Sequence, residues 1–140
     1  MNRRIVFFIV TGLLLSCGTV MADNTDKFMA GKSVAENWLS IVDSGKYAAS
    51  YNNTSAYLRN SVTLIQWEQS MKRIRQPLGR VLTRRMLTKI FKTSLPNKPN
   101  GEYVIIQFAT SFDKKRRAME TVITMQDKDK AWRVSDYQIK

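Results

Sequence analysis

Apolar residues recur at three- and four-residue steps in the first half of this chain, and alternate with polar ones in the second. From about Asp26 to Asp43, the residues Val34, Ala35, Trp38, Leu39, Ile41 and Val42 form one wide stripe. Ser33, Glu36, Asn37, Ser40 and Asp43 fill the opposite face. This spacing predicts an amphipathic helix. Ser44-Gly45 ends it, with Gly45 as the left-handed cap. Lys46 to Asn60 carries Tyr47, Tyr51, Tyr57 and Leu58 around the polar Asn52-Asn53-Thr54, and reads as two short helical turns. Thr63 and Gln66 fit a capping box, in which each side chain satisfies the other's orphan amide. Leu64, Trp67, Met71 and Ile74 follow at helical spacing until Pro77 and Gly79 stop the helix.

Beyond Gly79 the period changes. Residues 79–92 mix β-branched, apolar and basic side chains over the length of one long strand. Leu95 to Gly101 is a loop by its Pro, Asn and Gly content. Tyr103 to Phe112 gives the strongest strand signal in the chain. Residues 113–116 predict a four-residue connection, and Met119 to Met125 alternates, with Glu120, Val122 and Thr124 on one face. Asp127 to Lys130 is a polar turn, and Ala131 to Ile139 supplies a last strand through Trp132, Val134, Tyr137 and Ile139. Short connections favour antiparallel neighbours. Helices first and a four-strand meander after predict an α+β fold with the helices on one sheet face.

Residues 1–22 do not fit that scheme. Arg3 and Arg4 precede an uncharged, mostly apolar run from Ile5 to Leu15, and Val20-Met21-Ala22 makes a small-residue cleavage site before Asp23. This is the layout of an export signal, and its apolar run falls short of the roughly 20 residues that span a bilayer. The expected organisation is a signal peptide over 1–22 and a single domain over 23–140, working outside the cytoplasm, most simply in a periplasm. A second reading stays open: Leu14-Leu15-Ser16-Cys17 is similar to a lipobox, in which Cys17 becomes a lipidated N-terminus. Cys17 is the one cysteine, so ordinary cleavage leaves a domain without a disulfide.

Removal of the first 22 of 140 residues leaves enough chain for one ordinary core. The formal charge of +12 falls to +10, because the segment holds two arginines and no acid. That charge is uneven. Between Gln69 and Gly101 stand nine Lys/Arg and no Asp or Glu, and Lys114-Lys115-Arg116-Arg117 adds four more in what reads as one turn. Such a field draws polyanions and anionic surfaces. For an exported chain these are lipid headgroups, lipopolysaccharide, cell-wall polymers or an acidic partner protein, with nucleic acid disfavoured by the compartment. Arg80, Arg84, Arg85, Lys114, Lys115, Arg116 and Arg117 are the candidate binding residues; the alternative is a solvated face kept soluble by repulsion.

Five ordered blocks carry a resemblance. They are Trp38 to Tyr47, Arg75 to Gly79, Leu95 to Val104, Glu120 to Val122 and Trp132 to Tyr137. Together they resemble the exported bacterial family known as domain of unknown function 4019, over nearly the whole expected domain. The family pattern has Trp where Tyr51 stands and Gly where Asp136 stands. The resemblance implies a small α+β domain with helices packed on a curved, cone-like sheet, as in nuclear transport factor 2-like (cystatin-like) proteins. It implies no catalytic residues.

The chain has no histidine, which removes the commonest general base and most zinc sites. Asp127 to Lys130 is too short and basic for a calcium loop, and Gly101-Glu102 reads as turn chemistry, so neither a metal nor a cofactor is expected. Glu120 is the carboxylate of interest, because it shares a strand face with Val122, where a charge needs a partner. The favoured reading pairs it with Arg84 or Arg85. The alternative is a ligand pocket or cryptic isomerase or lyase, with Glu120 as acid or base and Tyr47, Tyr51 and Tyr137 supplying hydroxyls. Trp38, Trp67 and Trp132 belong on apolar faces as core. The functional expectation is a non-enzymatic exported binding domain with a basic surface.

Overall fold

The computed structural model describes residues 19–140, so Cys17 and most of the expected signal segment lie outside the described residues. Four helices come first: α1 (Thr19–Asp43), α2 (Tyr47–Asn52), α3 (Ala56–Ser61) and α4 (Leu64–Arg75), with one 3₁₀ turn at Gln76–Leu78. Four strands follow: β1 (Val81–Lys92), β2 (Tyr103–Phe112), β3 (Lys115–Gln126) and β4 (Trp132–Ile139). They form one open antiparallel sheet in the order β1-β2-β3-β4. The α+β architecture is therefore helices packed on one face of a bulged four-stranded meander. Among the described residues no helix is long and apolar enough to cross a membrane.

Local sequence explains the helix ends. Gly45 takes φ +73, its amide bonds the Val42 carbonyl, and the Lys46 amide reaches back to Ile41, which closes α1 in a Schellman motif. Thr63 and Gln66 exchange both capping-box bonds at the start of α4. Helix α1 begins earlier than Asp26, at Thr19, with the expected cleavage site in its first turn. The buried stripe of α4 also differs from expectation: Trp67, Met71 and Arg75 face inward, whereas Leu64 and Ile74 are exposed. A four-residue step from Met71 turns Arg75 inward, where Asp43 at the end of α1 and the Tyr137 hydroxyl on β4 are its partners.

The inner sheet face alternates cleanly. Val104, Ile106 and Phe108 of β2 and Val122 of β3 are buried beneath Ala35, Trp38, Leu39 and Val42 of α1, and Phe112 is buried at the other end of β2. Gly31 lets α1 lie directly on the sheet, since a Cβ there would stand 2.7 Å from Val104 Cβ and 2.8 Å from Thr124 Oγ1. Buried Ser50 ties the aromatic centre together: its carbonyl accepts from Trp38 Nε1 and its hydroxyl from Trp67 Nε1, both at 3.0 Å.

The two edges differ. Along β4, Thr54 bridges Val134, and the Ser55 amide donates to the Val134 carbonyl at 2.8 Å. The outer face is covered at one end by the 93–102 loop, where the Tyr103 hydroxyl donates to the Pro99 carbonyl and Lys98 pairs with Asp136. The β2–β3 connection is two residues, Asp113 and Lys114, not four, because Lys115, Arg116 and Arg117 already belong to β3. A bulge between Thr110 and Phe112 accommodates the extra length.

Candidate functional site

Two sets of charged side chains stand out, one inside the fold and one on the bare end of the sheet. The inner set starts from an anomaly in α1. Asp43 is that helix's last residue, where the negative end of the dipole disfavours a carboxylate. Two arginines compensate. Arg84 of β1 holds it with Nη1 and Nη2 at 2.7 and 3.0 Å, and Arg75, ending α4, donates Nη2 at 2.8 Å. Arg84 also donates Nε to Glu120 Oε1 at 2.7 Å, where Thr110 Oγ1 donates at 2.6 Å. The Tyr137 hydroxyl donates to Glu120 Oε2, and Arg75 Nη1 lies 3.4 Å from that hydroxyl. Asp43, Arg84, Glu120, Tyr137 and Arg75 thus close a ring of hydrogen bonds, charge-balanced at two cations and two carboxylates.

Burial sets the electrostatics of this ring. Glu120 is 0% exposed, and the Arg84 and Asp43 side chains keep 16% and 27%. Burial alone would raise the Asp43 carboxyl, but hydrogen bonds from Arg84 and Arg75 outweigh it and hold Asp43 below the ordinary Asp range. Burial would lower Arg84, and its bonds to Asp43 and Glu120 reverse that. Tyr137 is pushed well above the ordinary Tyr value, by burial first and by the neighbouring Glu120 carboxylate second. Arg75 lies over the Phe112 ring at 5.1 Å and has one unfilled donor, Nε.

This geometry places the sequence candidates. Glu120 pairs with Arg84, not Arg85, and also accepts from Thr110 and Tyr137. Of the three tyrosines proposed to line a pocket with it, only Tyr137 reaches it. The Tyr51 hydroxyl caps backbone carbonyls of Arg59 and Val62, and half-buried Tyr47 packs against the core. Glu120 lines none of three surface grooves formed by the described residues. Arg84 is likewise engaged inside the fold and separates from the other basic candidates. Sequence reasoning missed Asp43, Arg75 and Thr110. Helical spacing places Asp43 opposite the apolar stripe of α1; an acid in a helix's last turn is the signal that it needs cations.

The second set lies on the outer face near the β2–β3 turn. Register places Arg85 beside Ala109, Ala109 beside Met119, and Met119 exchanges both backbone bonds with Lys140. Arg85, Arg116, Arg117 and Lys140 line a shallow groove of about 510 Å³ over Ala109 and Met119, with hydroxyls from Thr83 and Ser111. No acidic side chain lines it. Arg80 and Lys114 stand at the same end, where Asp113 bonds back to the Arg80 carbonyl and Lys114 to that of Leu78. Arg80 is 86% exposed and reaches Asp113 only at 3.9 Å. Lys115, at the start of β3, is half-buried. At the opposite end of β3, Arg133 clamps Asp127 and Asp129, and that hydrogen bonding holds Asp129 down at about 2.

The fold and these two clusters define a class: a small α+β domain whose buried carboxylate is consumed by structural ion pairs, with one sheet face partly bare and basic. The sequence model of the family described as "Protein of unknown function (DUF4019)" matches residues 34–137, and the chain belongs to that family. Neither the curated proteins nor the solved structures include a match to it.

Proposed function

We propose that this is an exported, non-enzymatic binding domain that docks on an anionic component of the cell envelope through the basic end of its outer sheet face. The observation that carries this reading is the groove where Arg85, Arg116, Arg117 and Lys140 converge without an acidic side chain. Three of the four are arginines, whose forked donors match phosphate and carboxylate oxygens bidentately. A wide, shallow site of this kind suits a surface or headgroup better than an enclosed metabolite. The export reading rests on the charged and apolar pattern of residues 1–22. A pocket enzyme built on Glu120 is the weaker reading, because a carboxylate already accepting from Arg84, Thr110 and Tyr137 has no open side toward a substrate.

The test is co-sedimentation of the 23–140 domain with vesicles of phosphatidylglycerol and phosphatidylcholine. Binding is expected to require the anionic lipid, and to weaken as salt shortens the screening length from about 10 Å at 0.1 M toward about 3 Å at 1 M. Reversing Arg85, Arg116 and Arg117 to Glu should abolish it while the circular dichroism spectrum is unchanged. Equal binding to neutral vesicles, or no effect of the reversals, overturns the proposal.

A further inference from the structure

From the open edge of β1 we infer a second docking site, distinct from the groove: an acidic, extended polypeptide segment adds to the sheet there as a fifth strand. The edges of this sheet are unequal. β4 is covered by the Thr54–Ser55 segment, whereas among the described residues β1 ends the sheet order with no strand beyond it. β1 is 12 residues long and mostly exposed, and it carries Leu82, Leu87 and Ile90, three large apolar residues open to solvent. Bulges fall at Leu82 and at Leu87, and from Thr88 to Lys92 the pairing with β2 runs without a break. That stretch is straight enough to template another strand through its free backbone groups.

Charge selects the occupant. β1 contributes Lys89 and Lys92 along this stretch and no acid. The carboxylates nearest Arg84, Asp43 and Glu120, are held inside the fold, and Glu102, beside the start of β2, is paired with Lys27 at 2.7 Å. Lys89 Nζ lies 5.2 Å from the centre of the Phe28 ring. A second copy pairing edge to edge would set cations against cations, and like charges across a strand pair are destabilising. Register puts Lys89 on the inner face and Ile90 and Lys92 on the outer one, so an extended segment with acidic and apolar residues on both faces meets both lysines and Ile90.

The probe is a fluorescent peptide of glutamate pairs alternating with valine pairs, which puts carboxylates on both faces, about ten residues long to match a strand of this size. Binding to the 23–140 domain is read by anisotropy, and the site by hydrogen exchange of β1 amides. The expected result is saturable binding with new protection confined to β1. A peptide N-methylated at alternate residues keeps the charge and removes the ladder donors, and should bind at least about tenfold more weakly. Lys89→Glu with Lys92→Glu should weaken the parent peptide by a similar factor, while the Arg116→Glu, Arg117→Glu variant binds it as before. That last variant separates this site from the groove, so vesicle docking and peptide capture can fail independently. Equal binding of the N-methylated peptide, protection elsewhere than β1, no binding, or a dimer through β1 in sedimentation would each overturn the inference.

Discussion

Replacing Arg84 with Met tests whether the inner ring is held by charge pairing. Arg84 donates Nε to Glu120 at 2.7 Å and two further nitrogens to Asp43, with 16% of its side chain exposed. The two carboxylates lose it unequally. Asp43 retains Arg75 and some water, being 27% exposed, so its share of the loss is small. Glu120 is 0% exposed and retains only two hydroxyl donors, Thr110 and Tyr137. Removing one partner of a buried pair typically costs about 3–5 kcal/mol, and a domain of this size holds about 5–15 kcal/mol in total. The expected drop in Tm is roughly 10–20 °C, taking a few degrees per kcal/mol. Urea and thermal unfolding, followed by circular dichroism, read this directly.

The sharper result is a change of sign. In the parent, Glu120→Gln should destabilise, because it leaves Arg84 short of a charge partner. In the Arg84→Met background the same change should restore about 2 kcal/mol, since a neutral amide is far easier to bury than an unpaired carboxylate. An Arg84→Met loss below about 1 kcal/mol would refute the reasoning, placing the pair in the range of surface ion pairs. So would a Glu120→Gln change that destabilises in both backgrounds, which would mean that the hydroxyl bonds, not the charge, hold the ring.

Two further predictions concern packing and pH. Gly31→Ala puts a methyl within 3 Å of Val104 and Thr124 and should cost about 1–3 kcal/mol, measured as a lower urea midpoint at constant slope. Tyr137 is raised in the fold above its ordinary 10.0, so its contribution to stability is intact below pH 10. Above that pH the unfolded chain releases the proton that the folded chain keeps, and stability falls as pH rises. Tyr137→Phe should lower stability at neutral pH through the lost hydrogen bond to Glu120 and flatten the decline above pH 10; an unchanged alkaline slope contradicts the assignment.

The sequence alone determined the elements, their order and the fold class, because these follow from local rules. A 3.6-residue stripe, a capping box at Thr63, Gly45 after α1 and alternation from Tyr103 onward each act within a few residues of chain. It also pointed to Glu120 as a buried carboxylate in need of an arginine. Only the tertiary structure decided which arginine. Strand register and the two bulges in β1 turn Arg84 inward and leave Arg85 at the outer groove. Only the convergence of the C-terminal ends of α1 and α4 over the sheet drew Asp43 and Arg75 into the same ring. Asp43 lies 32 residues from Arg75 and 41 from Arg84, and Arg84 lies 36 from Glu120, separations at which no local pattern carries information. What brings them together is burial: a carboxylate on the inner face of β3 has no water to answer it, so the fold must supply the cations from elsewhere.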